Sequence, residues 1–317
     1  MMKKNRILLI GNSNIANKRY INTFNKNKVQ FSVASKSSKK KIKNAYKQYT
    51  DYEKAISTSD ANIAFISLPN SLHYFWAKRA LLNGYHVIVD KPITVKIKDT
   101  IELIRLAKQK NKLLSEAVFY NYHRQVKKIK NFLNNNNELV SLKANFTIPM
   151  PKKNSLLMSN YYKGGSIMDM GPYASSLHRI FFNKKIVSLK IIIKRNTKKL
   201  PIFFEIKVNY RNKYFLGKFK FGGKYKNEIF FFTKKKIFHI DRVFSPPNDL
   251  DLFIKEIIDD KIKNIRVPKD NCFENFFLEL LKKINEKKFD YYYDQIRQDH
   301  LFRDKIKKNS YKLFKEF

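Results

Sequence analysis

The first 117 residues alternate short, unbroken apolar runs with helical stretches, joined by connections of only a few residues. Arg6 to Gly11 reads Arg-Ile-Leu-Leu-Ile-Gly, and further strands are read at Val29 to Ala34, Asn62 to Ser67, Tyr85 to Val89 and Lys112 to Ala117. A run apolar at every position, rather than at every second one, fits a strand buried on both faces, and such strands belong to parallel sheets. Between them lie a helical segment to about Phe24, a helix from Leu72 to Asn83 with Ser71 as its N-cap and Gly84 at its end, and an amphipathic helix from Thr94 to Lys110. In that last helix Ile97, Ile101, Ile104 and Ala107 or Lys108 fall at helical spacing. Strand, helix and strand in this order predict an α/β fold with a parallel sheet covered on both faces.

Ligands of such sheets bind at the carboxyl ends of the strands. Gly11-Asn12-Ser13-Asn14-Ile15 leaves the first strand and opens a helix, the order in which a glycine turn and helix N-terminus hold a pyrophosphate. Ser13 stands where the usual fingerprint has its middle glycine. The second strand ends in Ser35-Lys36-Ser37, hydroxyls and a cation where an NAD-specific site carries a carboxylate. Charge and hydrogen-bond donors suit a ribose 2′-phosphate, so NADP is expected in preference to NAD. The strand at Tyr85 to Val89 runs into Asp90-Lys91-Pro92. The proline biases Lys91 away from helix and holds it at the strand end.

Four segments together resemble one family, the Gfo/Idh/MocA oxidoreductases. They are Ser67-Leu68-Pro69-Asn70-Ser71-Leu72-His73; Asp90-Lys91-Pro92; Ser115-Glu116-Ala117 with Tyr122-His123-Arg124-Gln125; and Gly164-Gly165-Ser166-Ile167-Met168-Asp169-Met170-Gly171-Pro172-Tyr173. The resemblance implies a Rossmann-type domain over residues 1–120 and an α+β domain over 121–317 with a large, mostly antiparallel open sheet, the C-terminal helices returning to the first domain. It implies an NAD(P)-dependent oxidoreductase acting on a sugar or nucleotide-linked sugar, assembled as a homodimer or homotetramer through that sheet. Cofactor contacts are then expected from Gly11, Asn12, Ser13, Asn14, Ile15, Ser35, Lys36, Ser37, Ser67, Leu68, Pro69, Asn70, His73, Asp90, Lys91 and Glu116. Substrate contacts are expected from Lys91, His123, Asp169 and Tyr173.

Moving a hydride to or from an alcohol carbon requires a proton to reach or leave the oxygen. Tyr173 is the candidate acid/base, since a neighbouring ammonium favours a phenolate, and Lys91 supplies such an ammonium and a donor for developing negative charge. Asp169 lies four residues before Tyr173 and shares its helix face, so it can orient the substrate or Lys91. His178, five residues past Tyr173, points about 140° away on a helix and reads as structural. Glu116 and His123 also admit plainer readings, as a paired carboxylate and a turn cap.

Beyond Leu142, strand-like runs dominate: Leu142 to Ile148, Val187 to Lys194, Ile202 to Tyr210, Tyr214 to Phe221, Glu228 to Thr233 and Ile237 to Ile240. Helices are expected at Asn271 to Lys283 and Tyr293 to Lys305. The formal net charge of +40 raises the question of nucleic acid. Its cations are 54 lysines and 12 arginines spread over nearly every segment, and lysine lacks the planar fork that reads phosphates and bases. Nucleic acid is therefore not expected as the main partner, and a basic nucleic-acid binder or a non-catalytic dinucleotide-binding regulator is the alternative. Such a regulator has no need of Lys91, Asp169 and Tyr173 together. Six histidines and one cysteine show no metal-ligand spacing, so no metal is expected. With no apolar run near membrane-spanning length and Met-Met-Lys-Lys-Asn-Arg leading straight into the first strand, the expected compartment is the cytoplasm and no membrane partner is foreseen.

Overall fold

The computed structural model describes residues 5–36 and 41–309, which divide into two compact units. Of the described residues, the first holds those up to Ala117 and Phe276–Arg297; the second holds Val118–Asn275 and residues 298–309. Among the described residues no helix is long and apolar enough to cross a membrane.

The first unit is built on six strands, β1 (Arg6–Ile10), β2 (Gln30–Ala34), β3 (Gln48–Tyr49), β4 (Ile63–Ile66), β5 (His86–Val89) and β6 (Leu114–Glu116). Every pairing is parallel, in the order β3-β2-β1-β4-β5-β6. The unbroken apolar runs become strands with almost every side chain buried; β4 is buried at all four positions. Helix α1 (Ile21–Lys26) continues a π-helical turn at Ala16–Tyr20, and α2 (Tyr52–Thr58), α3 (His73–Leu82) and α4 (Ile97–Gln109) complete the crossovers. The strand order reverses between β1 and β4, so the turns leaving these two strands flank the switch point where α/β sheets bind ligands.

Two local expectations change, and two elements come without one. Ser71 does not cap α3, because a 3₁₀ turn at Asn70–Leu72 runs directly into the helix and the extended residue before it is Pro69. In α4 the buried stripe is Thr100, Leu103, Ile104 and Ala107, while Ile101 is exposed. The hydroxyl of Thr100, paired with that of Thr94 at 2.7 Å, makes a polar side chain acceptable inside and rotates the helix by one position. The two-residue β3 and α2, whose Asp51 accepts a hydrogen bond from Lys54 N at 2.7 Å, lie in a polar stretch without the periodicity that marks elements.

The second unit carries β7 (Ser141–Ile148), β8 (Ser188–Arg195), β9 (Pro201–Asn209), β10 (Tyr214–Phe221), β11 (Lys226–Phe232), β12 (Ile237–Asp241), β13 (Leu252–Ile258) and β14 (Lys261–Val267). Their order is β14-β13-β12-β11-β7-β10-β9-β8, antiparallel throughout except for the parallel pair β7 and β10. Side chains alternate: Phe215, Phe219 and Phe221 of β10 face the core, and Tyr214, Leu216, Lys218 and Lys220 face outward. The last hairpin, β13 and β14, interrupts its apolar residues with Lys255, Glu256, Lys261, Lys263 and Arg266 and was not legible as strands. Helices α5 (Arg124–Phe132) and α6 (Ser166–Leu177) also belong to this unit, and α6 packs on β9 and β10. Helices α7 (Cys272–Glu286) and α8 (Asp290–Asn309) are divided between the units. In the first, Phe277 packs on Phe24 with ring centres 5.2 Å apart, and Tyr293 donates to the Lys112 carbonyl at 2.6 Å.

Candidate active site

In the first unit the candidate residues gather at the carboxyl edge of the parallel sheet. Gly11 leaves β1 at φ +101°, and a Cβ there would stand 2.1 Å from the Ser67 carbonyl oxygen. The glycine is thus required by the close approach of the two turns at the switch point as well as by its positive φ. Asn12 and Ser13 follow in the turn, and Asn14 and Ile15 begin the helical segment that continues into α1. Asn12 Oδ1 accepts from Asn17 Nδ2 at 2.7 Å, which ties the turn to the helix.

The turns after β1, β4 and β5 are joined by a ladder of hydroxyl groups with a defined direction. Ala16 N donates to Ser13 Oγ (3.1 Å), Ser13 Oγ pairs with Ser67 Oγ (2.7 Å), and Ser67 Oγ donates to Asp90 Oδ2 (2.6 Å). Since the Ser67 proton is committed to Asp90, the Ser13 proton must go to Ser67. The Ser13 hydroxyl proton is therefore spent inside the protein, so any contact of this residue with a phosphate falls to its backbone. Asp90 Oδ1 accepts a further bond from the Tyr20 hydroxyl. Burial pushes the Asp90 carboxyl above the usual carboxylate range, opposed by its bonds to Ser67 and Tyr20 and by the charges of His73 and Lys91. Tyr20 is a member of this site that the sequence did not reveal. It is 1% exposed, and only the packing of the helical turn on Phe65, with ring centres 4.4 Å apart, aims its hydroxyl at Asp90.

Lys91 follows Asp90 directly, and its peptide bond to Pro92 is cis. Two side chains brace this loop. His73 is fully buried, its Nδ1 2.7 Å from the Pro92 carbonyl and its Nε2 2.7 Å from the Leu68 carbonyl. It ties the Leu68-Pro69-Asn70 turn to the lysine loop with both ring nitrogens. Glu116, at the end of β6 and 8% exposed, accepts the Ile93 N–H at 2.8 Å through Oε1. At the end of β2, Ser35 N bonds the Tyr49 carbonyl (2.9 Å), and Lys36 Nζ lies 5.3 Å from the centre of the Tyr52 ring. The end of this strand, through Lys36, offers a hydroxyl and an ammonium and no carboxylate. Ser37 lies outside the described residues.

In the second unit, α6 starts after Gly165, which has φ +95°. Asp169 lies in its first turn and Tyr173 four residues on, so both face one side of the helix. Tyr173 is half-buried, its ring among Tyr120, Phe146 and Phe244 at centre distances of 5.8, 5.4 and 5.0 Å. His178 bonds the Tyr210 hydroxyl through Nδ1 at 2.7 Å and stacks on Phe302, and burial lowers its pKa to about 4. His123 is 1% exposed and accepts the Gln125 N–H at 3.2 Å through Nδ1, capping α5. Its pKa too is lowered, chiefly by burial.

Residues 5–118 match the family profile described as oxidoreductase family, NAD-binding Rossmann fold, Gfo/Idh/MocA. A dTDP-3,4-didehydro-2,6-dideoxy-α-D-glucose 3-reductase from Streptomyces antibioticus is 24% identical over 241 residues, 74% of this chain and 73% of that protein. Its counterpart from Streptomyces violaceoruber is 26% identical over 148 residues, so the match spans only 43% of that relative. A D-xylose 1-dehydrogenase (NADP(+)) from Haloferax volcanii is 29% identical over 42% of each chain. Among solved structures, a 3-ketoreductase from Actinomadura kijaniata in complex with NADP and TDP-benzene superposes with a TM-score of 0.89 at 20% identity, over 97% of this chain and 98% of that one. A UDP-N-acetylglucosamine 3-dehydrogenase from Acidithiobacillus ferrooxidans follows the same fold at a TM-score of 0.79 and 13% identity, over 96% and 97%. Over residues 5–118 this chain is therefore similar to the Gfo/Idh/MocA oxidoreductases, and the Streptomyces antibioticus relative carries a weaker likeness over 74% of the chain.

Proposed function

We propose that the chain is an NADP-dependent oxidoreductase that reduces the keto group of a nucleotide-linked sugar, with Lys91 and Tyr173 serving the reacting oxygen. The hydroxyl ladder from Ala16 N to Asp90 carries this reading, because it fixes three strand-end turns around the residue just before Lys91. A lone structural lysine does not need such support. The relatives supply the substrate class: those matched over the longest stretch act on dTDP-linked deoxysugars, and the Actinomadura ketoreductase binds NADP. Neighbouring structures of that ketoreductase include one with a lysine replaced by alanine and one with a tyrosine replaced by phenylalanine, the two side-chain types assigned here.

The residues fit the cofactor. The Cβ-free turn at Gly11 leads into a helix N-terminus suited to a pyrophosphate, and Ser35 with Lys36 suits a 2′-phosphate. NADPH, when bound, supplies the hydride. The Lys91 ammonium holds the carbonyl oxygen and offsets its developing negative charge, an effect of ~3 kcal/mol for a well-placed donor. Tyr173 delivers the proton through its hydroxyl, and Asp169 orients the substrate from the same helix face. Loss of the Tyr173 hydroxyl is expected to lower turnover by ~10²- to 10⁴-fold.

The test is NADPH oxidation, followed by absorbance, over a panel of dTDP- and UDP-linked keto sugars, with duplex DNA titrated in parallel at moderate salt. Turnover of at least one keto sugar, together with NADPH binding that withstands salt, is the expected result. Tight, salt-resistant DNA binding with no turnover across the panel would favour the basic binder instead.

A further inference from the structure

The outward face of the sheet in the second unit carries a histidine between two carboxylates, away from Asp169 and Tyr173 in sequence and on other elements. Register sets Glu228 of β11 opposite Asp241 of β12, and Phe230 opposite His239. Side chains two positions apart on a strand share a face, so these four converge. His239 Nε2 lies 3.4 Å from Glu228 Oε2 and 3.4 Å from Asp241 Oδ1. The nitrogen is buried and makes no hydrogen bond. Its ring is held by Phe230, stacked with centres 4.1 Å apart and planes 6° from parallel.

Each carboxylate has its second oxygen occupied by another residue. Asn145 Nδ2 donates to Glu228 Oε1 at 2.9 Å, and Lys255 Nζ stands 3.8 Å from Asp241 Oδ2. One oxygen of each acid is thereby turned toward the imidazole nitrogen. All three ligand atoms lie within 4.8 Å of one another.

We propose that Glu228, His239 and Asp241 form a site for a divalent transition ion of the zinc class. A protonated imidazole offers one N–H at Nε2, and a charge-assisted bond would draw one oxygen in to about 2.7–2.9 Å. Here two oxygens sit equidistant, and neither is bonded. A tetrahedral ion with bonds of ~2.05 Å holds its ligand atoms about 3.3 Å apart, which matches both separations. Imidazole with two carboxylates suits Zn²⁺ better than Mg²⁺ or Ca²⁺, which take oxygen shells. Asn145 and Lys255 act as the outer partners that orient ligating carboxylates. Three protein ligands leave a fourth position for water. The ion would clip β11 to β12 and takes no part in the proposed reduction, so the two proposals stand or fall separately.

The experiment is calorimetric titration of Zn²⁺ into the full chain, freed of metal by a chelator, repeated for His239→Gln, Asp241→Asn and Glu228→Gln. One equivalent of Zn²⁺ should bind the wild type, and each substitution should weaken binding by at least ~10-fold with circular dichroism unchanged. Should a variant fail to fold, Co²⁺ added to the wild type provides the second readout. An intense visible band of tetrahedral Co²⁺, displaced by one equivalent of Zn²⁺, is expected. Absence of Zn²⁺ binding to the wild type, affinity unaltered by the substitutions, or only the weak spectrum of octahedral Co²⁺ would overturn the assignment.

Discussion

Replacing Ser67 with alanine removes the central oxygen of the hydroxyl ladder and with it two hydrogen bonds, to Asp90 Oδ2 at 2.6 Å and from Ser13 Oγ at 2.7 Å. The bond to the carboxyl group is worth ~1.5–3 kcal/mol and the bond between hydroxyls ~0.5–1.5 kcal/mol. Ser67 is 3% exposed, so water does not readily take its place. The expected loss is ~2–4 kcal/mol from the first unit. Its pH dependence follows from Asp90. Burial raises the Asp90 pKa above 3.8, and the Ser67 bond pulls it back down. A carboxyl with a raised folded pKa keeps a proton that the unfolded chain releases, so its contribution is lost as pH rises from the unfolded value through the folded one. The Ser67→Ala deficit should therefore be largest at neutral pH, where Asp90 needs its donors most, and should shrink in acid. The single tryptophan, Trp76, is buried in α3 of this unit, and its fluorescence during urea unfolding reports the loss directly. A double-mutant cycle with Asp90→Asn isolates the Ser67–Asp90 term. A loss below ~0.5 kcal/mol at neutral pH, or a deficit that grows toward acid, would refute the ladder as a stabilising element.

Gly11→Ala forces a side chain into positive φ and against the Ser67 carbonyl, so NADPH affinity, read by fluorescence titration, should fall more than ~10-fold along with a lower melting temperature. Lys36→Ala should weaken NADPH by roughly 10-fold while leaving NADH binding nearly unchanged, measured as Kd for each cofactor. His86 and His178 both have pKa values lowered to about 4 by burial. The unfolded chain takes up these protons near 6.5 and the folded one only near 4, so stability falls as pH drops through that window, by up to ~3 kcal/mol per histidine. Urea unfolding from pH 7 to pH 4 should show this slope, flattened in His178→Phe.

The parallel sheet was legible because runs such as Ile7 to Ile10 and Ile63 to Ile66 are apolar at every position, and its helices because apolar residues recur at helical spacing. The strands Leu252–Ile258 and Lys261–Val267 were not, since charged residues interrupt their apolar positions and only Leu252, Ile254 and Val267 are buried in the core, the rest being held by pairing along the sheet. Gly11, Asp90, Lys91 and Glu116 could be named from the sequence, being tied to strand ends by glycine, proline and family-like spacing. How they are held could not. Tyr20 reaches Asp90 across 70 residues and His73 reaches Pro92 across 19, and neither distance has a sequence signature. Glu228, His239 and Asp241 meet only through the register of β11 on β12, which a metal-motif spacing rule does not see.

The central claim is a hydride passed from the nicotinamide to a sugar carbon under the control of Lys91 and Tyr173. It is tested by incubating the chain with NADPH deuterated at the transferable position and a dTDP-linked keto sugar, then reading the product mass. One deuterium bound to the new carbinol carbon is predicted for the wild type, formed at least ~10²-fold more slowly by Lys91→Ala and by Tyr173→Phe, with NADPH binding retained in the latter. A product without deuterium, or wild-type rates in both variants, would contradict the account.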